Sequence, residues 1–426
     1  MATIKPFRGI RYNQMKVTLA NVVAPPYDVI SPEQQNGYYA KDPLNVIRLI
    51  LGREEDRYAS AAKTYSEWQG SDVLLRDLTP SIYPLVQTFK TIEGKQIQRK
   101  GFIALCRLEE FEKKIVLPHE RTLSKAKEDR FKLFKATKSN FSQVFSLYSD
   151  PEKKIDQYLD PIHSTYPVID VEFEQVQNQL WQISDPMVID GIASLMESKQ
   201  VLIADGHHRY ETGLAYRELM RSQNPNHTGN ELYNYIMMFF TNLDDEGLVI
   251  FPTHRVIHSL PEYDGGELTA KLQEHFTLQV FPTPQMMMNA LKQNSRFAYG
   301  FVSHHSPKFF TATLNDELLL QTLITDELPV EVKELDVVLL HNHILRNLLG
   351  ISQEAQDKKL NIHYIQNVHE CIDEVASGAS QIAFFVNPTK IEQVRAVSKS
   401  GNVMPQKSTF FFPKLISGLV LNKMEE

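Results

Sequence analysis

Val201-Leu-Ile-Ala-Asp-Gly-His-His-Arg-Tyr210 is the stretch that decides the fold of this chain. Its apolar residues Val201–Ala204 predict a buried strand, and Asp205 with Gly206 predicts a turn. Apolar side chains spaced four apart from Tyr210 onward predict a helix that begins at His207. A turn between a strand and a helix leaves backbone N–H groups free and lies at the positive end of the helix dipole. The stretch therefore predicts an anion-binding turn.

The side chains around this turn are those that phosphate chemistry uses. Gly206, His208 and Arg209 are predicted to bind phosphate or a nucleotide through an amide, an imidazole and a guanidinium. Asp205, His207 and His208 are candidates for catalysis, because a carboxylate or an imidazole can act as general base or metal ligand near neutral pH. The alternative interpretation is a surface turn that binds no ligand.

Length and composition restrict the class of protein. A chain of 426 residues is too long for one ordinary core, so we predict two domains, at 1–245 and 246–426, with a third as an open alternative. A hydrophobic content of 42% excludes wholesale disorder. The net charge is −7, from 45 basic and 52 acidic residues, and no basic tail is present. This balance argues against nucleic acid as a partner.

Cysteine usage and hydropathy give predictions about the cellular compartment. Cys106 and Cys371 are the two cysteines and form no Cys-x-x-Cys pair, so neither a disulfide framework nor a cysteine zinc site is supported. The N-terminal residues lack the pattern of a signal peptide, and no apolar run is long enough to span a membrane. We therefore predict a cytoplasmic protein without a membrane partner. The oligomeric state stays open.

The order of strands and helices predicts an α+β fold with a mixed sheet and helices packed on it. Asp185-Pro186 is a typical helix start, and the helix it opens leads into the central strand at Val201. Tyr233 to Asn242 is apolar enough for a strand buried on both faces. The second half, from residue 246, predicts an α/β domain that can close over the site.

Two further stretches place polar side chains beside prolines. Pro25-Pro26 forbids regular structure and presents Tyr27 and Asp28 from a stiff segment, which is either a structural turn or a loop that lines a pocket. His119 and Glu120 follow a proline at the end of an apolar run. They are candidates for catalysis if they lie on a loop, and a solvated pair otherwise.

The second half supplies more candidates for phosphate binding. His254 and Arg255 follow a strand end, and Lys407, Ser408 and Thr409 follow Pro405 on an extended segment. Lys-Ser-Thr also occurs in phosphate loops, but no Gly-x-x-x-x-Gly precedes it, so we reject a Walker A loop. The alternative interpretation is that both groups have only a structural role. Lys407, Ser408 and Thr409 would then be polar residues at the exposed start of a strand.

Several of these motifs together resemble one bacterial and archaeal family, which is classed as a domain of unknown function and grouped with the ParB/sulfiredoxin-like superfamily. The motifs are Lys5-Pro-Phe, Pro25-Pro-Tyr-Asp-Val29, His119-Glu-x-Thr122, Asp129-Arg130, Ala204-Asp-Gly-His-His-Arg-Tyr210, Thr253-His-Arg255 and Met404-Pro-x-Lys-Ser-Thr-x-Phe-x-Pro-Lys414.

The resemblance implies a ParB/sulfiredoxin-like N-terminal half. In that superfamily a Gly-x-x-Arg turn at a helix start binds nucleotide phosphates, and the box around Asp205 is similar to the Asp-Gly-His-His-Arg of ParB-like free serine kinases. His207 stands where sulfiredoxins carry their cysteine, so the sulfiredoxin chemistry has no nucleophile here.

The function implied by this resemblance is phosphoryl transfer between a nucleotide, ATP or ADP with Mg²⁺, and a small hydroxyl metabolite such as serine. A phosphatase that uses water as the acceptor is a close variant. Two alternatives remain open. One is a nucleotide-responsive regulatory protein of the ParB-like class, and the other is a metal-dependent hydrolase. The residues that such a hydrolase would use are His119, Glu120, His207, His208 and His254.

Overall fold

The structure is a computed structural model that describes residues 2–91, 94–120, 124–294, 296–304, 306 and 308–425, without the side chains of residues 124–126. The chain divides into two compact units. Residues 1–118, 122–249 and 413–426 form the first unit, and residues 119–121 and 250–412 form the second. Thr122, which belongs to the family-like motif around His119, lies outside the described residues.

The described residues contain 21 β-strands. They are β1 (Ile4–Lys5), β2 (Ile10–Tyr12), β3 (Leu74–Arg76), β4 (Tyr83–Lys90), β5 (Gln96–Arg107), β6 (Val116–Leu117), β7 (Ser139–Asn140), β8 (Val144–Tyr148), β9 (Ile169–Phe173), β10 (Val176–Leu180), β11 (Val201–Asp205), β12 (Tyr235–Asn242), β13 (Val249–Phe251), β14 (His254–Ile257), β15 (Phe276–Phe281), β16 (Ala298–Ser303), β17 (Phe309–Leu314), β18 (Ile362–Ile365), β19 (Ile382–Val386), β20 (Phe410–Phe412) and β21 (Asn422–Lys423).

The α-helices are α1 (Leu19–Val22), α2 (Pro32–Lys41), α3 (Ile47–Ile50), α4 (Arg57–Gly70), α5 (Ser124–Thr137), α6 (Asp156–His163), α7 (Pro186–Glu197), α8 (His207–Gln223), α9 (Gly265–Gln273), α10 (Pro284–Gln293), α11 (Leu320–Leu323), α12 (Val330–Lys333), α13 (Asp336–Leu339), α14 (Gln353–Lys358), α15 (Val368–Ala376) and α16 (Ile391–Lys399). A π-helix, Leu340–Leu348, continues α13. Within the described ranges, no helix is both long and apolar enough to cross a bilayer.

The first unit is built on a mixed sheet, which confirms the predicted α+β fold. The strand order is β6-β11-β8-β12-β5-β4-β10-β9, and β1 pairs with the end of β5. The pairs β6–β11 and β8–β12 are parallel, and the other pairs of this sheet are antiparallel. Every residue of β12 is buried, as predicted from its apolar sequence.

The central strand β11 positions the turn identified from the sequence. Val201–Ala204 are buried between β6 and β8, and the predicted strand, turn and helix are confirmed. The register with β8 shifts between Ile203, which lies opposite Ser146, and Asp205, which lies opposite Phe145. Such a bulge bends a strand and redirects its side chains. Asp205 is therefore placed at the C-terminal end of β11, at the start of the turn.

The C-terminal segment packs with the first unit, which the predicted boundary at 245/246 did not anticipate. β21 pairs with β7, and isolated bridges join Leu421 to Ile10 and Ser417 to Ala24. These partners lie hundreds of positions away in the sequence. Local patterns carry no information about such pairing, so the sequence-based division kept residues 413–426 with the second domain.

The second unit contains an antiparallel sheet of its own, in the order β15-β17-β16-β19-β14-β18. The apolar sides of α10 and α15 pack on it through Met287, Leu291, Cys371 and Val375. The single helix suggested by the apolar pattern of residues 334–348 is instead α13 followed by the π-helix. π-Helical turns are rare and often occur at functional sites.

Candidate functional site

The turn that precedes α8 requires a glycine. Gly206 is the N-cap of α8 and has a φ of +89°, in the left-handed region. A Cβ at this position would lie 2.7 Å from Nε of Arg209, because the guanidinium folds back over the turn. Both the backbone conformation and the close approach exclude a larger residue.

We expect Gly206→Ala to destabilise the protein more than Gly229→Ala, as measured by denaturant unfolding. Both glycines have a positive φ, near +90°, but a Cβ at Gly229 would meet no atom within 4 Å. The free-energy cost of an alanine with a positive φ, about 1 kcal/mol or more, is thus common to both variants. The close contact with Arg209 arises only in Gly206→Ala. Equal losses of unfolding free energy in the two variants would contradict a role for this contact.

Arg209 is buried beneath the turn, with 4% of its surface exposed. Nη1 donates to the carbonyl oxygen of Gln143, and Nη2 lies 3.9 Å from Oδ2 of Asp205. Within the described part of the chain, Nε of Arg209 and Nε2 of Gln143 have no hydrogen-bond partner. His207 is also buried, and His208 is half-buried. Arg209 therefore holds the turn and has one buried N–H without an acceptor among the described residues.

The carboxylate of Asp205 joins the turn to the C-terminal segment. Oδ2 lies 3.1 Å from Nζ of Lys414, and Oδ1 accepts from the backbone N–H of Gly206 at 2.9 Å. Lys414 belongs to the last family-like motif, but sequence reasoning did not select it as a site residue. The structure places this lysine beside the turn.

Arg99 is the most deeply buried cation among the described side chains of the first unit and was not foreseen from the sequence. It lies on β5, is fully buried and stands 4.5 Å above the ring of Phe145. Nη2 donates to Oε1 of Gln87 and, at 2.5 Å, to the carbonyl oxygen of Pro413. Nε and Nη1 have no hydrogen-bond partner among the described residues. Burial lowers the pKa of Arg99 to about 9, and the negative charge of Asp205 opposes this shift. The side chain therefore remains a cation at neutral pH.

The Pro25-Pro26 segment places Tyr27 near two cations, Arg130 and Arg209. The guanidinium carbon of Arg130 lies 3.8 Å from the centre of the Tyr27 ring. Burial and the neighbouring Asp28 raise the pKa of Tyr27 to about 12, while Arg130 and Arg209 act in the opposite direction. Asp28 itself is exposed. The position of Tyr27 beside Arg209 favours the second interpretation of this segment, a loop that lines a pocket.

The charged helix α5 is tied to its neighbours by ion pairs. Asp129 accepts from Arg57 at 2.5 Å and from the hydroxyl of Tyr58 at 2.8 Å, and it also pairs with Arg130. Burial raises the pKa of Asp129, but the two arginines and Tyr58 outweigh it, so the pKa lies below its ordinary value. Helix α5 therefore does not serve only as a charged face toward solvent, because its Asp129 holds Arg130 over the ring of Tyr27.

In the second unit, the predicted residues His119, Glu120 and Thr409 form one hydrogen-bonded cluster. Nε2 of His119 lies 2.8 Å from Oγ1 of Thr409, whose hydroxyl and backbone N–H donate to Oε1 of Glu120 at 3.1 and 3.2 Å. His119 is fully buried, and its carbonyl oxygen accepts from the N–H of Met404 at 2.7 Å. The structure therefore joins two sequence motifs that are almost 300 residues apart.

Arg255 and Ser408 support the loop that carries Lys407. Arg255 is fully buried and donates through Nη2 to the carbonyl oxygen of Lys407 at 3.1 Å and through Nε to Nε2 of His341 at 3.1 Å. Oγ of Ser408 donates to the carbonyl oxygen of Pro405 at 2.6 Å. Lys407 has a φ of +58°. These contacts describe a loop held in a tight conformation by buried polar groups.

His254 lies against the ring of Phe385 in an edge-on arrangement, and its Nδ1 accepts from the N–H of Val386 at 3.3 Å. Burial and the neighbouring Arg255 lower the pKa of His254 to about 3. The imidazole is therefore neutral at physiological pH and offers no positive charge to a phosphate.

The predicted site residues fall into two groups that lie in different units. Asp205, Gly206, His207, His208 and Arg209 belong to the first unit, and the remaining ones belong to the second. Over the described ranges, no three His, Cys, Asp or Glu side chains are grouped so that they could hold a metal ion. The residues named for a metal-dependent hydrolase thus form no such group there.

Comparisons with known proteins give one family and several distant structures. No curated protein matches the sequence at a significant level. Among solved structures, a conserved hypothetical protein from Pyrococcus furiosus is 14% identical, with a TM-score of 0.33 over 73% of this chain and 92% of that one. A free serine kinase in complex with AMP is 14% identical, with a TM-score of 0.33 over 72% and 89%. A C-terminally truncated SbnI from Staphylococcus aureus is 10% identical, with a TM-score of 0.35 over 74% and 85%.

The family comparison covers most of the sequence. Residues 4–338 match the family described as protein of unknown function, DUF1015. The motifs around Lys5, Tyr27, His119, Asp205 and Arg255 all lie within this range. The chain therefore belongs to the DUF1015 family.

Proposed function

We propose that the protein is a nucleotide-dependent phosphotransferase that binds phosphate at the turn formed by Asp205, Gly206 and Arg209. The observation that carries the proposal is a set of buried N–H donors without acceptors. They are Nε and Nη1 of Arg99, Nε of Arg209 and Nε2 of Gln143. A buried donor without an acceptor is costly, and more so when it carries charge. An anion with several oxygens would satisfy these donors together.

The charges around the turn support the same ligand. Arg99, Arg209 and Lys414 bring three positive charges to the region of Asp205, which pairs with Arg209 and Lys414 and acts to raise the pKa of Arg99 through its negative charge. The helix α8 adds the positive end of its dipole. An excess of positive charge in a buried setting favours a ligand with more than one negative charge, such as a di- or triphosphate.

The chemistry that these residues would perform is mainly charge neutralisation and positioning. A bound ATP or ADP would supply the phosphoryl group. Arg99, Arg209 and Lys414 would hold its oxygens, while an acceptor hydroxyl forms a bond to the terminal phosphorus and the bond to the bridging oxygen breaks. His208 would take the hydroxyl proton, because imidazole can accept a proton near neutral pH. The products are a phosphorylated acceptor and a nucleotide with one phosphate fewer.

We propose that Mg²⁺ arrives with the nucleotide. Protein sites for Mg²⁺ in such enzymes commonly provide one or two carboxylates and leave the remaining positions to phosphate oxygens and water. Asp28 is an exposed carboxylate beside Tyr27 and is a candidate for this role. The acceptor is proposed to be a small hydroxyl metabolite, with serine first, because the box around Asp205 resembles that of the ParB-like free serine kinases.

Thermal unfolding with ATP, ADP, CTP and GTP in the presence of Mg²⁺ tests the nucleotide site. A nucleotide at a hundred times its dissociation constant should add about 2.7 kcal/mol of stability. The nucleotide that stabilises the protein would then be incubated with serine, and the formation of phosphoserine would be measured. Stabilisation by none of the four would contradict the proposal.

Lys414→Gln should weaken nucleotide binding about tenfold, the effect of losing about 1.4 kcal/mol from one charged contact. The side chain is partly exposed, so the substitution should leave the fold intact. Lys423→Gln, in the same C-terminal segment, is the matched control and should bind as the wild type does. If titration calorimetry gives the same dissociation constant for Lys414→Gln and the control, Lys414 has no part in the site.

A further inference from the structure

A row of three buried polar side chains crosses the mixed sheet of the first unit. Arg99 on β5 lies opposite Gln87 on β4, and Gln87 lies opposite Asn178 on β10. All three residues are fully buried. Polar groups in such a setting are costly unless hydrogen bonds satisfy them. The contacts within the row therefore decide how its groups are oriented.

The order of donors and acceptors in the row is fixed at both ends. A guanidinium has only donors, so Nη2 of Arg99 requires the oxygen end of the Gln87 amide, Oε1. At the other end, Nδ2 of Asn178 donates to the carbonyl oxygen of Val176 at 2.9 Å, which leaves Oδ1 toward Gln87. Nε2 of Gln87 donates to this Oδ1 at 2.9 Å. The amide of Gln87 thus has one orientation that satisfies both neighbours.

The same row holds the start of the C-terminal segment, residues 413–426. Nη2 of Arg99 donates to the carbonyl oxygen of Pro413 at 2.5 Å, and Nε2 of Gln87 donates to the carbonyl oxygen of Lys414 at 3.4 Å. The two carbonyl groups are consecutive in the chain but lie 314 and 327 positions away from their donors. Side chains of the sheet therefore fix the main chain on both sides of the Pro413–Lys414 peptide bond.

The residue that is held in this way carries a solvent-accessible cation. The side chain of Lys414 is 18% exposed, and its Nζ lies 3.1 Å from Oδ2 of Asp205, at the turn before α8. Arg99 and Arg209 are both buried. A lysine ammonium is a point charge on a flexible four-carbon stem. Its position at the turn therefore depends on where the main chain of Lys414 is fixed.

We infer that Gln87 is a positioning residue, which holds the main chain of Lys414 so that the ammonium group stays at the turn before α8. Asn178 supports this role by fixing the amide of Gln87. The inference rests on the proposed phosphate site, because the position of the ammonium group affects binding there. Gln87 itself touches no ligand, so its effect on binding passes through Lys414.

Chemical labelling of the ligand-free, full-length protein tests the positioning by itself. Acetylation requires the neutral amine, and pairing with Asp205 keeps Lys414 protonated. In Gln87→Met, acetic anhydride should therefore label Lys414 about threefold faster, the effect of loosening a partly exposed ion pair. The labelled peptides would be quantified by mass spectrometry. An unchanged rate at Lys414 would overturn the inference.

Gln98→Met is the matched control for the labelling. Gln98 precedes Arg99 on β5, but it is exposed and donates to Oγ1 of Thr88 at 3.3 Å. Its loss should leave the labelling of Lys414 as in the wild type. Denaturant unfolding shows whether each variant is folded. If Gln87→Met is not, Gln87→Asn withdraws the amide by one methylene from a carbonyl that is already 3.4 Å away, and the same increase in labelling is expected.

A double-mutant cycle with Lys414→Gln shows whether the positioning affects nucleotide binding. The ligand is the best-bound of ATP, ADP, CTP and GTP. Gln87→Met and Lys414→Gln should each raise its dissociation constant about tenfold, and the double variant should also lose about tenfold, because both changes remove the same contact. A purely structural role of Gln87 would make the losses multiply to about a hundredfold, and this result would overturn the inference.

The two measurements separate this inference from the proposed function. If the wild type binds a nucleotide but the labelling of Lys414 does not respond to Gln87→Met, only the role of Gln87 is overturned. If the labelling responds but the wild type binds none of the four nucleotides, the proposed function is removed, together with the role of Gln87 within it.

Discussion

Arg99→Met is expected to abolish nucleotide binding while leaving the free energy of unfolding within about 1 kcal/mol of the wild type. The reason is that Arg99 is fully buried with two N–H groups that no described residue accepts. A buried ion without complete pairing contributes little to stability, and a methionine of similar length preserves the packing on Phe145. The substitution leaves Oε1 of Gln87 and the carbonyl oxygen of Pro413 without that donor, which offsets part of the gain. The phosphate would meanwhile lose its most deeply buried donor.

Arg217→Met is the matched control for this experiment. Arg217 is also buried, at 4% exposed, but all its donor groups have partners: Nε donates to Glu218, Nη1 to the carbonyl oxygen of Leu108, and Nη2 to Glu110. Its loss should therefore cost about 2 kcal/mol of stability and leave nucleotide binding unchanged. The two variants thus separate binding from stability.

The outcome is read from denaturant unfolding and from nucleotide titration of both variants. If Arg99→Met loses as much stability as Arg217→Met and still binds nucleotide, Arg99 is a structural residue. In that case the unpaired N–H groups have no ligand, and the main support for the proposed phosphate site is removed.

The local part of the fold was predictable because it depends on neighbouring residues. The strand, turn and helix around Gly206 follow from apolar spacing and a glycine. Ser31 before Pro32 predicted the start of α2, and the structure shows Ser31 accepting from the N–H of Gln34 as a helix cap. Each of these features is decided within four residues along the chain.

The composition of the site was not predictable to the same extent, because sheet register brings distant residues together. The sequence predicts a strand from Gln98 to Leu108, but a cation on an alternating strand is expected to face solvent. Here Gln87 lies opposite Arg99 on β4, Asn178 lies opposite Gln87 on β10, and the carbonyl oxygen of Pro413 in the returning segment accepts a hydrogen bond from Arg99. Neither the register nor the return of the C-terminal segment leaves a local signal.

The structure also departs from a clear local sequence pattern at two further places. The sequence Thr389-Lys-Ile-Glu392 fits a capping box with Thr389 as the helix cap. In the structure the hydroxyl of Thr389 donates to the carbonyl oxygen of Ser408 at 2.7 Å, and α16 begins at Ile391. The helix pattern of residues 334–348 gave no sign that its second part is a π-helix, since both helix types show similar apolar spacing over a few turns. Side-chain hydrogen bonds such as that of Thr389 compete with local structure.

The second unit should lose stability as the pH falls below 6.5, because three of its histidines are held neutral. Burial is the main cause in each case. It lowers the pKa to about 3 for His254 and His341, aided by Arg255, and to about 4 for His343, aided by His275. The unfolded chain titrates near the ordinary value of 6.5 and so binds more protons than the folded chain between pH 6.5 and 3.

The sign and size of this effect follow from linkage. The stabilisation is fully present above pH 6.5 and decreases as the pH falls toward the folded pKa values, where the histidines would have to charge while buried. Between pH 6.5 and about 5, each histidine should cost roughly 2 kcal/mol of unfolding free energy. Denaturant unfolding at several pH values should therefore show a steep decrease over this window.

His343→Leu should reduce this pH dependence by about one proton and raise stability at acidic pH. His343 is 6% exposed, neither of its ring nitrogens has a hydrogen-bond partner among the described residues, and the ring stacks on Phe276. Leucine fills much of the same space without a group that protonates. His369→Gln, on the exposed side of α15, is the control and should leave the slope unchanged. An unaltered slope in His343→Leu would show that this imidazole is not held neutral in the folded state, and the acid sensitivity of the unit would then have to arise from its other buried groups.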